Sequence, residues 1–124
     1  MVVDETIDET TDEGADRIFQ ALADATRRDI LARALREEQS VSALARHYEM
    51  SFAAVQKHVA VLERAALVIK ERRGREQVVH GNLPALRRAA RLLDEYEQIW
   101  RARADRIADI LAVPTAPEPR KERP

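Results

Sequence analysis

The chain has 124 residues and a mass of 14.1 kDa, the size of one small domain. It has no cysteine, which excludes disulfides, thiolate metal sites and a cysteine nucleophile. The net charge of −1 conceals an asymmetry: residues 1–16 carry seven acids and no base, whereas residues 17–112 carry 18 Lys/Arg against 13 Asp/Glu, so a nucleic-acid partner stays open.

Residues 1–14 are acidic and poor in large apolar groups, and they read as a disordered arm. Ala15–Ala23 places Ile18, Phe19 and Leu22 at helical spacing. Asp24 is a cap for a second helix with Ile30, Leu31, Ala34 and Leu35 on its buried face. Ser40 caps a short third helix holding Val41, Leu44, Ala45 and Tyr48. Ser51 caps a fourth, with Val55, Val59 and Leu62 at i, i+4 and i+7. The period then changes. Leu67–Arg72 and Glu76–His80 are short and β-branched around Arg73-Gly74-Arg75, the pattern of a β-hairpin with Gly74 at its tip.

Asn82-Leu83-Pro84 opens a long last helix that runs to about Ala112. Its apolar stripe includes Leu86, Leu93, Tyr96, Trp100, Ile107 and Leu111. About 28 residues at 1.5 Å each make a helix about 40 Å long. That exceeds the width of so small a domain, so part of the stripe should face a second chain. Four of the five prolines lie in 113–124, which reads as a tail. The folded domain is therefore expected over 15–112. No apolar run approaches the roughly 20 residues that span a bilayer, and the start lacks the features of a signal peptide. A soluble, cytoplasmic protein is expected.

The predicted class is mainly α with a small β-hairpin wing, in the order α1-α2-α3-α4-β-β-α5. Residues 42–64 form a helix-turn-helix in that order. Its second helix would enter a major groove of double-stranded DNA and bring its first turn to the base edges. Ser51, Ala53, Ala54, Gln56, Lys57 and His58 occupy its solvent side. Small residues at 53 and 54 allow close approach. Gln56 suits a bidentate contact to adenine, and Lys57 and His58 reach guanine or phosphate. Arg72, Arg73 and Arg75 surround the hairpin tip, where they can track a backbone or enter a minor groove. Arg27 and Arg28, at the start of the second helix, are weaker phosphate candidates.

Several strings resemble the arsenic-repressor-like (ArsR-type) winged helix-turn-helix regulators. They are Ala21-Leu22-Ala23-Asp24-Ala25-Thr26-Arg27-Arg28-Asp29-Ile30-Leu31, Ser40-Val41-Ser42-Ala43-Leu44-Ala45, Met50-Ser51-Phe52-Ala53-Ala54-Val55-Gln56-Lys57-His58-Val59, Leu62-Glu63 and Arg72-Arg73-Gly74-Arg75. The resemblance spans about residues 16–112. It implies a homodimeric repressor that binds a palindromic operator, often in its own promoter. It also implies dimerisation through the first and last helices, here Ile18, Phe19, Leu22, Leu93, Tyr96, Trp100, Ile107 and Leu111.

The departures from the family pattern matter. Metal-sensing relatives use cysteines on the third helix, and Ser40–Tyr48 has none. Others use Asp and His on the last helix, and residues 84–112 contain no histidine. The resemblance is therefore to a subgroup that does not sense metal. Ala25 stands where proline is common, and Gln56 where Ser or Thr is common. Ala66 stands where glycine is common, which puts a left-handed alanine before the Leu67-Val68 strand. Gly81 replaces an apolar strand residue and reads as a loosening of the wing.

Other readings are weaker. His47, His58 and His80 have no ligand-like spacing to one another or to a carboxylate, so neither a metal nor another cofactor is expected. Asp94, Glu95 and Glu97 lie on an Arg-rich helix, where i,i+4 pairs with Arg91 and Arg101 are expected rather than catalysis. No phosphate loop or nucleophile motif points to an enzyme. Tyr96 and Trp100, with Phe19, form either dimer core or the lining of a pocket for a small-molecule effector. The acidic arm could compete with DNA phosphates for the wing arginines. The rival from another class is a winged-helix protein-interaction module without specific DNA binding.

Overall fold

The computed structural model describes residues 12–112. The elements run α1 (Asp12–Leu22), α2 (Ala25–Arg36), β1 (Gln39–Ser40), α3 (Val41–Ala45), α4 (Phe52–Arg64), β2 (Val68–Arg73), β3 (Glu76–Gly81) and α5 (Leu83–Ala112). Helix α1 takes in Asp12, Glu13 and Gly14, so it begins three residues before the expected domain edge. The rest of the acidic arm and the Pro-rich tail 113–124 lie outside the described residues. No helix among the described residues is long and apolar enough to cross a membrane.

Three helices start where short polar side chains meet orphan backbone N–H groups. The Asp24 carboxylate accepts from Arg27 N at 3.0 Å. The Ser40 hydroxyl accepts from Ala43 N and that of Ser51 from Ala54 N, each at 3.0 Å. Helix α3 ends at Ala45, before Tyr48; the chain continues in tight turns, with the N–H groups of Arg46, His47 and Tyr48 bonding three residues back.

The described residues fall into two compact units that divide between Ala90 and Arg91. In the first, Ile30, Leu44, Val55, Val59, Leu62, Leu67, Val68 and Val79 make the buried centre, with Ala85 and Ala89 from the start of α5. Burying such side chains stabilises by roughly 1.5–3 kcal/mol each before entropy is counted. The described part of the second unit is the continuation of α5 through 91–112, with Leu93, Tyr96, Ile99, Trp100, Ile107, Ile110 and Leu111 exposed on the chain. Within it Glu97 pairs with Arg101, while Asp94 accepts from Gln98 rather than from an arginine.

The wing has one strand more than expected. β1 pairs antiparallel with β3 through Gln39↔Val79 and Ser40↔Val78, giving the order β1-β3-β2. The β2–β3 hairpin closes at Arg73↔Glu76. Its loop is Gly74-Arg75, and only Gly74 has positive φ, at 63°. That is the pattern of a II′ turn, whose first central position favours glycine.

Ala66 is left-handed, with φ 62°. It ends α4: its N–H bonds Glu63 O, the next N–H bonds Leu62 O, and Asn82 Nδ2 donates to Ala66 O at 2.7 Å. A left-handed alanine costs about 1–2 kcal/mol, and glycine recovers most of that while loosening the unfolded chain. Ala66→Gly should therefore leave stability unchanged or raise it by up to about 1 kcal/mol. A lower urea midpoint would count against this.

Gly81 lies against a side chain of α2. A Cβ there would meet Leu35 Cδ2 at 2.4 Å and Leu35 Cα at 3.2 Å. The glycine thus lets the end of β3 pass close under α2, and Leu35 lies half out of the core above it. Gly81→Val should destabilise by about 1–3 kcal/mol through overpacking, read as a lower melting temperature. An unchanged melting temperature would show that Leu35 swings away freely.

Candidate nucleic-acid interface

The helix-turn-helix consists of α3, the turn 46–51 and α4. The turn is held by a cluster of residues far apart in the chain, which no local spacing marks. Tyr48 OH donates to Asp29 Oδ2 at 2.6 Å, and Arg33 Nε donates to the same oxygen at 2.9 Å. The Arg33 guanidinium lies 6.0 Å from the centre of the Tyr48 ring. The Tyr48 hydroxyl, then Arg33, hold the Asp29 carboxyl below its ordinary range. Burial and the bond to Asp29 push the Tyr48 phenol up to about 12. This cluster ties the turn to α2 and thereby sets where α4 begins.

The lowered Asp29 value has a consequence for stability. A carboxylate with a depressed folded pKa stabilises above its unfolded value, near 4, and loses that contribution as pH falls through the folded one. Tyr48→Phe should therefore cost stability at neutral pH, by about 1 kcal/mol for the lost hydrogen bond. The gap to wild type should narrow as pH falls below about 4. Denaturant melts at several pH values check this; a gap that stays constant would contradict it.

Along α4, Ser51, Ala53, Gln56 and Lys57 are exposed, and Ala54 and His58 are half-buried. Val55, Val59 and Leu62 turn inward. The expected outward set is thus brought together on one side, with Phe52 added to it. Phe52 is 47% exposed, although its spacing to Val55 and Val59 places it on the apolar stripe. It is the first residue of the helix, where the stripe runs off the edge of the core. An exposed aromatic here suits contact with a thymine methyl group.

The wing arginines divide into two kinds. Arg73 is engaged: its Nη2 donates to Glu38 Oε1 at 3.1 Å and its Nε to Glu71 Oε2 at 3.0 Å. Glu38 first and Glu71 second raise the Arg73 guanidinium above its ordinary value, and Arg73 is the main cause lowering both carboxyls. His80 Nε2 lies 3.2 Å from Glu71 Oε1 and extends the cluster across the hairpin. Arg73 therefore clamps the wing to the residue before β1 and is not positioned as an open phosphate contact. Arg72 and Arg75 are exposed, and Arg72 Nε donates to Gly74 O at 3.3 Å.

Arg27 and Arg28 are likewise engaged within the chain. Arg27 Nε donates to Ala21 O at 2.8 Å and its Nη2 to Gln20 O at 3.0 Å. Arg28 Nη1 donates to Leu22 O at 2.6 Å. Together they satisfy orphan carbonyls in the last turn of α1.

The residues expected at a dimer interface also separate. Ile18 is 1% exposed within the single chain, so it belongs to the chain's own core and has no surface for a partner. Phe19 and Leu22 pack against that core but stay partly open. Leu93, Tyr96, Trp100, Ile107 and Leu111 are exposed, with Ile99 and Ile110 widening the set. Among the described residues no three His, Cys, Asp or Glu side chains gather as a metal site.

This architecture is shared with solved structures. A crystal structure of an ArsR-family transcriptional regulator is 31% identical, covers 73% of this chain and 94% of its own, and superposes with a TM-score of 0.70. An ArsR-like transcriptional regulator from Rhodococcus sp. RHA1 is 33% identical, covers 79% of this chain and 92% of its own, with a TM-score of 0.69. A homodimeric winged helix-turn-helix DNA-binding domain from Mycobacterium bovis, solved by NMR, is 23% identical, covers 69% and 81%, and has a TM-score of 0.57. No protein-family model and no curated protein matches the chain. The fold is a winged helix-turn-helix. The chain belongs to the ArsR family of transcriptional regulators.

Proposed function

We propose that the chain is a homodimeric transcriptional repressor that reads a palindromic operator, its own promoter being one target. The observation that carries this reading is the outward side of α4, where Ser51, Phe52, Ala54, Gln56, Lys57 and His58 stand together on the second helix of a helix-turn-helix. Gln56 and Lys57 supply base and phosphate contacts, and Phe52 adds an apolar one. Arg72 and Arg75 supply the wing's phosphate contacts. The exposed stripe from Leu93 to Leu111 pairs with that of a second chain, because an apolar set of this size seldom stays in water. Pairing brings two recognition helices to half-sites about one helical turn apart, or a multiple of it. Repression follows by occlusion of the promoter. An apolar effector would meet Tyr96 and Trp100 on α5.

Selection from a pool of randomised duplexes tests this. The expected product is an inverted repeat whose half-sites are spaced by whole helical turns. Recovery of no enriched sequence would overturn the regulator reading and favour the protein-interaction module.

A further inference from the structure

His58 lies on the recognition helix, but its chemical state is set by a residue on α2. Arg27 Nη1 stands 3.3 Å from His58 Nδ1. A guanidinium carries five donors and no acceptor, and it stays protonated in proteins. Nδ1 must therefore accept, which leaves the proton of the neutral ring on Nε2. Arg27 cannot turn away at no cost, because its Nε and Nη2 are bonded to Ala21 O and Gln20 O at the end of α1. The opposing influence is Asp24, whose Oδ2 is 3.9 Å from the same Nδ1. That is beyond hydrogen-bond distance, and the same oxygen already accepts from Arg27 N. The His58 side chain keeps 23% of its exposure, and no hydrogen bond of its other nitrogen, Nε2, is seen among the described residues.

We propose that Arg27 is a positioning residue that holds His58 as the Nε2–H tautomer, so that the recognition helix presents a hydrogen-bond donor at this position. Its partner on DNA is then an acceptor, such as guanine O6 or N7 or a phosphate oxygen, and not the amino group of adenine or cytosine. This rests on the reading of the chain as a DNA-binding regulator. It assigns Arg27 a part in recognition with no contact to DNA.

The tautomer is tested without DNA. Long-range proton–nitrogen NMR of the wild-type protein, in mildly alkaline buffer, should show His58 Nδ1 as the unprotonated ring nitrogen. A proton found on Nδ1 would overturn the proposal. In Arg27→Met the two tautomers should mix, since Asp24 then meets no competitor. Arg27→Lys, which keeps a donor, should move the signal back toward wild type. Should either variant fail to fold, the wild-type spectrum still decides.

The recognition half is tested by anisotropy on the selected duplex. His58→Ala should weaken binding about tenfold or more. It should either relax preference at one guanine, marking a base acceptor, or lower the salt slope by about 0.9, marking a phosphate. Adding Arg27→Met to His58→Ala should cost little more, because the two act through one contact. Additive losses, with a salt slope that falls for Arg27→Met alone, would make Arg27 a direct phosphate contact and overturn the proposal. Failure of the wild-type protein to bind any duplex would overturn the regulator reading and this recognition half with it, while the tautomer assignment would stand or fall on NMR alone.

Discussion

Replacing Tyr96 and Trp100 together with aspartate should turn a dimer into a folded monomer and lower DNA affinity at least a hundredfold. Both rings are 59% exposed on the single chain, so their loss costs the chain little core. The Arg103 guanidinium lies 5.8 Å from the centre of the Trp100 ring. In a paired stripe, by contrast, two carboxylates from each chain would be desolvated against apolar surface, at several kcal/mol per buried charge. Linked half-sites gain roughly 10²–10⁴ in avidity over a single one, and the monomer forfeits that gain. Sedimentation equilibrium reads the first effect and anisotropy the second. A variant that remains dimeric would move the interface off α5, and a monomer that binds DNA as tightly as wild type would remove the need for a dimer.

Removing Arg72 and Arg75 should weaken binding to every duplex alike. Each lost phosphate contact lowers the salt slope by about 0.9, which near 0.1 M salt is roughly tenfold in affinity. The double alanine variant should therefore lose about a hundredfold and a slope of about 1.8. Arg73→Ala should behave differently. Its guanidinium is bonded to Glu38 and Glu71, so contact with a phosphate would first require breaking a clamp to two carboxylates. The slope should stay near the wild-type value, and the wing should become easier to unfold by hydrogen exchange. Equal slope losses for Arg72, Arg73 and Arg75 would mean that DNA opens the clamp.

The readable parts of the molecule were those decided within a few residues. Asp24, Ser40 and Ser51 each cap a helix because a short polar side chain beside an apolar period has one local use. Gly74 at the hairpin tip was legible for the same reason, whereas the left-handed Ala66 was implied only by the family resemblance. The outward side of α4 followed from the spacing of Val55, Val59 and Leu62. What escaped depends on partners far along the chain. Strand β1 is two residues long and has no period to read. Arg27 meets His58 across 31 residues, and Arg73 meets Glu38 across 35. An arginine that caps a helix and one that awaits a phosphate look alike in sequence. The room that Gly81 leaves for Leu35 is not legible locally, because Leu35 lies on another element. Ile18 read as interface because the spacing of α1 does not say which of its apolar residues face the core.

Sequence-specific recognition of DNA by α4 and the wing is open to a direct test. Fluorescence anisotropy tests it most directly, with the full chain titrated into a duplex from upstream of its own gene and into an unrelated duplex of equal length, over a salt series. Binding to the upstream duplex should be tighter by about 10³-fold or more and should persist at physiological salt. Equal, weak and steeply salt-dependent binding to both, or no binding even at low salt, would contradict it.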